Sequence, residues 1–271
     1  MKLKIIAGLI AMAFMVLTVQ PVLAAQEENQ TPIVFLKEER ATNPESLVRF
    51  MTDYIRSLPQ FYICGEISYD KVYKENNKIQ YSAEFDFYVK RPSQFQFNVN
   101  GDLQNKQVLY DGKSVTVYDA NKSVYGVIEA YSTIDATLDK AEKEYGIRLP
   151  VLDLARSEFG ANILTDVTKS AYVGLSNVGG IPCRHVAFAK EGLNIQLWIE
   201  DGPTPFPRKI VLTSKSDPAM PSWTCVITDW SLSPKLPDGW TTFVPKAGMK
   251  KIDFLKPDDQ AASTSKYGKE S

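Results

Sequence analysis

The apolar residues that open the folded part of the chain recur at helical intervals. They lie three or four positions apart, along one face of an α-helix: Leu47, Phe50, Met51, Tyr54, Ile55 and Leu58. Asn43 is a suitable N-cap, Pro44 suits the first helical position, and Pro59 ends the pattern. We therefore predict a helix whose apolar face packs against a sheet.

From Phe61 onward the pattern changes to alternation, which is typical of strands with one buried face. In residues 79–89, Phe85 and Phe87 share one face while Glu84 and Asp86 share the other. Turn residues such as Asp111-Gly112 separate short strands. Six strands are predicted in this half: residues 61–67, 79–89, 95–99, 107–110, 114–119 and 123–129.

The middle of the chain is helical, and alternation then returns. Residues 131–145 predict a helix capped by Ser132 or Thr133, and a second short helix is expected from Val151 to near Gly160. Five more strands follow: residues 171–178, 181–190, 193–200, 207–214 and 223–232. Because strands do not alternate with helices, a parallel sheet is not expected. The fold class is α+β, mostly β: a strongly curved antiparallel half-barrel of about eleven strands, with helices covering its concave face.

The two ends of the chain have a different character. Basic Lys2 and Lys4, an apolar run of about 15 residues and Val22-Leu23-Ala24 predict a signal peptide, residues 1–24, cut after Ala24. A bilayer span needs roughly 20 apolar residues. Ala25 stands where a lipoprotein signal would carry its lipidated cysteine, so we expect a secreted, periplasmic, soluble chain without a membrane anchor. We expect a flexible leader over 25–42, a single domain over 43–256 and a disordered tail over 257–271.

Charge and cysteine content narrow the function classes. Without residues 1–24 the chain keeps 29 of its 31 basic residues against 32 acidic ones. This weak, mixed charge does not predict binding to nucleic acid or to an anionic membrane. Cys64, Cys183 and Cys225 lack CxxC spacing, and with one histidine they make a poor metal set, so no metal or cofactor is predicted. Buried thiols are favoured, and a bridge between Cys183 and Cys225 remains an alternative.

Catalytic motifs are weak in this sequence. The segment at Gly174 fails the GxSxG pattern at its last position, and Gly112-Lys113-Ser114 joins two strands instead of opening a helix. His185 is the chain's one histidine and lies within a predicted strand. We therefore predict that the protein is not an enzyme, with a hydrolase using His185 as the weakest alternative.

The apolar sheet face suggests a binding groove. A curved sheet under a few short helices need not be filled by its own side chains, and an apolar groove suits a lipid or acyl chain. The candidate lining residues are Phe85, Phe87, Phe95, Phe97, Ile195, Leu197 and Ile199. Four tryptophans crowd the last third of the chain, where they could pack the outer sheet face or line the rim of the groove: Trp198, Trp223, Trp230 and Trp240.

Several local motifs carry a family resemblance over roughly residues 43–256. They are YDGKSV from Tyr110, GIPCRHVAF from Gly180, QLWIEDG from Gln196, PFPRKIVL from Pro205 and FVPKAG from Phe243, with Tyr118-Asp119 and Asp229-Trp230. The chain resembles a family of predicted periplasmic proteins of unknown function that is grouped with the LolA/LolB-like lipoprotein carriers. The resemblance implies an eleven-stranded half-open barrel whose helices lid an apolar cavity. In the carriers this cavity takes the acyl chains of lipoproteins.

Two functions remain open at this point. The first is a soluble periplasmic protein that binds an acyl chain, a lipid or a lipoprotein in the half-barrel cavity, as a carrier does. The second is an envelope interaction or scaffolding module whose cavity is filled by its own side chains. The motifs do not place the arginine that latches the helices in the carriers, so no residue is assigned to that role.

Overall fold

A computed structural model describes residues 42–254. The predicted signal peptide, the leader up to residue 41 and the tail over 257–271 lie outside the described residues. Within residues 42–254 the helices are α1 Pro44–Ser57, α2 Ile134–Tyr145 and α3 Phe159–Leu164, with short 3₁₀ helices at Lys74–Asn76 and Pro150–Ala155. The strands are β1 Gln60–Val72, β2 Lys78–Lys90, β3 Gln94–Gly101, β4 Asn105–Tyr110, β5 Ser114–Asp119, β6 Val124–Glu129, β7 Lys169–Val178, β8 Ile181–Ala189, β9 Leu193–Glu200, β10 Pro207–Ser214, β11 Ser222–Ser231 and β12 Lys250–Lys251.

These twelve strands of residues 42–254 form one curved, open sheet. Their order is β12-β6-β5-β4-β3-β2-β1-β11-β10-β9-β8-β7. Neighbouring strands are antiparallel, except that β12 runs parallel to β6. The α+β half-barrel predicted from the alternation is confirmed, and the structure adds the two-residue strand β12 to the eleven expected.

Helix α1 forms as its sequence predicts. The Asn43 side chain accepts a hydrogen bond from the Ser46 amide at 2.8 Å, and Pro44 opens the first turn. The helix buries Leu47, Val48, Met51 and Ile55. Its apolar stripe therefore packs into the core.

The second predicted helix is wrong in its bounds. Instead of one helix from Val151 to near Gly160, the chain forms the 3₁₀ helix Pro150–Ala155, an extended residue at Arg156, and then α3. Gly160 lies inside α3. The position takes a glycine because the side chain of Thr52 from α1 occupies the space that a Cβ would need. Helix–helix packing therefore explains a glycine that the sequence pattern places at a helix end.

The two faces of the sheet differ sharply. The inner face, which the helices cover, carries alternate buried residues such as Ile63 in β1 and Phe87 in β2. The outer face carries their polar neighbours, such as Glu66 and Glu84. None of the helices described between residues 42 and 254 combines the length and the hydrophobicity that a membrane span requires.

Candidate ligand-binding cleft

The seven residues predicted to line a groove all lie on the inner face and are buried in the core. They are Phe85, Phe87, Phe95, Phe97, Ile195, Leu197 and Ile199. The four phenylalanines come together on β2 and β3. The three aliphatic residues lie on β9, which β1, β11 and β10 separate from β2 in the strand order. The structure thus forms one phenylalanine cluster and a distinct aliphatic patch.

The phenylalanine rings fill the space between them. Phe87 meets Phe97 at 5.8 Å and Phe95 at 5.9 Å between ring centroids, both edge to face, and Phe85 lies 6.1 Å from Phe97. Such geometry is typical of a packed aromatic core. Phe95 also borders a small, partly open void of about 30 Å³, which has room for about one water molecule. Much of the predicted groove is therefore filled by the protein's own side chains.

An open apolar cleft of about 250 Å³ remains at one end of the inner face. Phe97 is the one residue of the predicted set that borders it. The sheet side also includes Trp223 of β11, and the opposite side is the segment Arg148–Val151, which follows α2 and includes the first two residues of the 3₁₀ helix. Its remaining lining residues are Ile67, Tyr69, Val99 and Gln104. The walls are mainly apolar, and Arg148 and Gln104 supply polar groups at the cleft.

Three of the four tryptophans take one of the two roles considered from the sequence, and Trp230 takes neither. Trp223 lines the cleft. Trp230 packs inward, with its ring stacked 4.5 Å from that of Phe206. Trp198 stacks on His185 at 3.9 Å, and Trp240 lies near Tyr88 on the outer face. Trp223 is therefore the one tryptophan among residues 42–254 that borders the cleft.

A cluster of charged side chains anchors the 3₁₀ helix beside the cleft. The Arg156 side chain is only 8% exposed and pairs with Asp139 of α2 and with Asp153, whose Oδ1 accepts from Nε at 2.8 Å. Arg148 lies 3.3 Å from Glu142. Burial raises the pKa of Asp153, although the bonds from Arg156 oppose the shift. These pairs hold the 3₁₀ helix and the segment before it against α2.

Arg91, in the turn after β2, bonds the sheet to the helical cover, which is the end of α1 together with the 3₁₀ helix. Its Nε donates to the Leu58 carbonyl at 3.2 Å, just after α1, and its Nη1 donates to the Ala155 carbonyl at the end of the 3₁₀ helix. Its buried Nη2 has no hydrogen-bond partner among residues 42–254. Burial lowers the pKa of this guanidinium. In the sequence Arg91 is recognisable only as part of a strand break before Pro92. No sequence signal indicates that it bonds the helices to the sheet.

His185 occupies a packed site on the outer face. Besides stacking on Trp198, its Nε2 lies 3.1 Å from Gln196 Oε1. Burial, with a smaller contribution from Lys209, lowers the pKa of the imidazole. Within residues 42–254 there is no group of three or more metal-ligating side chains. The contacts of His185 described here are therefore those of a packed side chain, with Trp198 on its ring face and Gln196 at Nε2.

All three cysteines are free thiols. Cys183 and Cys225 are buried, and Cys64 is half-buried. Burial raises the pKa of Cys183 to about 11 and also raises that of Cys225. The alternative of a Cys183–Cys225 bridge is therefore wrong in this structure, because each thiol is packed separately as a small apolar group.

The fold is similar to several solved structures at low sequence identity. An uncharacterized conserved protein from Thermus thermophilus has a TM-score of 0.46 and 8% identity, over 77% of this chain and 98% of that one. LprF from Mycobacterium bovis has a TM-score of 0.45 and 13% identity, over 72% and 96%. A LolA superfamily protein from Nitrosomonas europaea has a TM-score of 0.37 and 11% identity, over 74% and 97%.

Comparison with curated proteins gives no match. A family model described as "Predicted periplasmic protein (DUF2092)" matches residues 45–255. This range contains α1 from its second residue, α2, α3 and all twelve strands of the described sheet. The chain therefore belongs to the DUF2092 family of predicted periplasmic proteins.

Proposed function

We propose that this protein binds a hydrophobic ligand, such as the acyl chain of a lipid or lipoprotein, and carries it through the periplasm. The observation that supports this function is the open apolar cleft between Trp223 and the segment Arg148–Val151. Phe97 and Val99 belong both to its wall and to the core. An inserted chain would therefore meet apolar side chains along its length.

The size of the cleft limits how much ligand it accepts. Pockets for small molecules usually measure about 300–1,000 Å³, and the cleft holds about 250 Å³. It therefore accepts the end of an acyl chain in this conformation. Each buried methylene contributes about 0.8 kcal/mol, so partial insertion already gives useful affinity. Deeper insertion requires the cover to move.

We propose that Arg91 controls that movement. It bonds the end of α1 and the end of the 3₁₀ helix to the turn that follows β2. Breaking these two bonds would free the side of the cleft opposite Trp223. The buried residues predicted from the sequence, from Phe85 to Ile199, would then line the enlarged cavity behind Phe97.

A second function is favoured by one observation. All seven predicted lining residues are buried, and the phenylalanine rings are in mutual contact. A closed interior of this kind suits a non-enzymatic envelope interaction or scaffolding module. On this alternative the half-barrel is a rigid platform, and the cleft is a surface depression without a ligand.

Binding of a fluorescent fatty acid separates the two functions. We expect saturable binding to the wild type and an acyl lipid that co-purifies with it, detected by native mass spectrometry. Trp223→Glu places a charge in the cleft and should weaken binding by about tenfold or more, a loss of about 1.4 kcal/mol. Trp198→Glu, at a half-buried tryptophan on the outer face, is the matched control and should bind as the wild type does.

Failure of this experiment has a clear meaning. A folded wild type that neither co-purifies with lipid nor binds the fatty acid excludes the carrier and leaves the scaffolding module. Equal weakening by both variants would show that the loss does not arise in the cleft.

We further propose a binding role without catalysis. His185 packs between Trp198 and Gln196, and we assign it a structural function. In a broad esterase screen we expect no turnover by the wild type. Activity that disappears in His185→Ala would contradict this assignment.

We propose that the mature chain is periplasmic and begins at Ala25, without a lipid. The motif Val22-Leu23-Ala24 and the absence of cysteine at position 25 support this. The intact mass of the protein from a periplasmic extract should match residues 25–271. A mass increased by acyl groups, or retention of residues 1–24, would refute it.

A further inference from the structure

The outer face of strands β1–β5 carries an open groove of about 460 Å³ that the proposed carrier function does not use. Outward side chains form its floor in a straight row across neighbouring strands. Cys64 pairs in register with Asp86, Asp86 with Asn98, Asn98 with Gln107, and Gln107 with Tyr118. Four strand-to-strand steps of about 4.8 Å give the row a length of about 19 Å.

The centre of the row is a hydrogen-bonded chain of planar polar groups. Gln107 Nε2 donates to Asn98 Oδ1 at 2.9 Å, and Asn98 Nδ2 donates to Asp86 Oδ1 at 2.7 Å. These bonds orient each group and use only one N–H of each amide. The second N–H groups, Gln107 Oε1 and Asp86 Oδ2 have no partner among residues 42–254. The floor therefore presents donors and acceptors in fixed positions.

Aromatic side chains close both ends of the row. At one end Tyr62 lies 4.4 Å from Tyr88, which in turn lies 6.4 Å from Trp240. At the other end Tyr118 lies 5.7 Å from Phe243. Tyr62 and Tyr118 themselves line the groove. The segment from Trp240 to Phe243 thus contacts Tyr88, the neighbour of Tyr62, near one end and Tyr118 at the other.

We propose that this groove binds a neutral oligosaccharide. Hydroxyl groups of a sugar both donate and accept, and they match the amides and carboxylate of Asp86, Asn98 and Gln107. The apolar faces of sugar rings can stack on Tyr62 and Tyr118, whose rings combine an apolar body with a polar hydroxyl. The row runs about 19 Å from β1 to β5, and this length suits a short glycan chain rather than a single sugar.

Other ligand classes fit this groove less well. Its floor is too polar for an acyl chain, and Glu84 and Asp86 outnumber the one lining cation, Lys106, which disfavours a polyanion. Strands β1–β5 are paired along both edges, so an extended peptide finds no strand edge to join. Asp86 is partly buried, which raises the pKa of its carboxyl, and hydrogen bonds at such a site are stronger than at an exposed one.

Calorimetric titration with chitotetraose, cellotetraose and maltotetraose tests the proposal. The wild type should bind at least one of these with a saturable isotherm. Asn98→Ala and Tyr118→Ala, measured separately, should each weaken binding by about tenfold, the effect of losing one hydrogen bond or one stacking contact. Gln94→Ala, a partly exposed amide on the outer side of the same strand and outside the groove, is the matched control and should stay within about twofold.

The experiment has outcomes that overturn the proposal. No saturable binding of any of the three glycans by the folded wild type refutes it, as does binding that neither variant weakens. Competition by a polar tetrapeptide or by the fatty acid at this site would assign it to another ligand class. Thermal melts verify that each variant is folded. Fatty acid binding should be unchanged in Asn98→Ala, so failure here is distinguishable from failure of the carrier function.

Discussion

Replacing Phe87 with alanine measures how tightly the interior beneath the helices is packed. Phe87 is fully buried and meets Phe61, Phe95 and Phe97 at centroid distances of 5.8–6.2 Å. Truncation of a buried phenylalanine usually costs about 3–5 kcal/mol. That cost includes about 0.5–1.5 kcal/mol for each edge-to-face pair, so a ring with several such pairs belongs at the upper end of the range. With three such pairs, we expect a loss of about 5 kcal/mol in the free energy of unfolding.

Equilibrium urea unfolding, followed by tryptophan fluorescence and circular dichroism, provides the assay. The transition midpoint should fall while the m-value stays unchanged, since the surface exposed on unfolding is nearly the same. Phe50→Ala, at a half-buried position of α1, is the matched control and should cost clearly less. A loss below about 2 kcal/mol for Phe87→Ala, under the usual range for such truncations, would refute the packed interior. It would favour a cavity with space for a ligand.

Three further results are expected. The Ser222 amide donates to Asp70 at 3.0 Å and lowers the pKa of that carboxyl. The contribution of the ionised Asp70 carboxylate to stability should therefore be complete above about pH 4. It should be lost as the pH falls through the pKa of Asp70 in the folded state. In urea unfolding at pH 7 and pH 3, Asp70→Asn should differ from the wild type mainly at the higher pH; an equal difference would contradict this. A thiol reagent should label Cys64 in the native protein and all three cysteines after unfolding; rapid native labelling of all three would show that the buried thiols are accessible. In Gly126→Ala the new methyl group would overlap the Phe254 ring, so hydrogen exchange should show faster opening of β12, and unchanged protection would contradict it.

Most of the fold was predictable because it depends on local periodicity. Alternation assigns each strand residue to one face of the sheet, whichever strand lies beside it. The apolar stripe of α1 likewise identifies the buried face of the helix. The bounds of α3 were not predictable. Gly160 indicates a helix end by propensity, yet it lies inside α3. A glycine is needed there because only a residue without a side chain leaves room for Thr52.

The candidate site was predictable only in part. Phe97, one of the seven predicted lining residues, borders the apolar cleft, since an alternating strand exposes its apolar face to whatever lies above it. All seven are buried, and the other six do not border this cleft, because the helices and neighbouring rings fill the space over them. Whether an inward residue borders a cavity or another side chain depends on packing, and periodicity carries no information about that.

The sequence alone determined the order of elements, the apolar face of each strand and the curved antiparallel class, because these follow from patterns only a few residues long. Only the tertiary structure decided which residues meet. It brought Trp223 opposite Pro150, bonded Arg91 to the carbonyls of Leu58 and Ala155, and aligned Asp86 with residues of β3 and β4. The physical reason is register: shifting a strand by two residues preserves its alternation but changes every neighbour that its side chains contact.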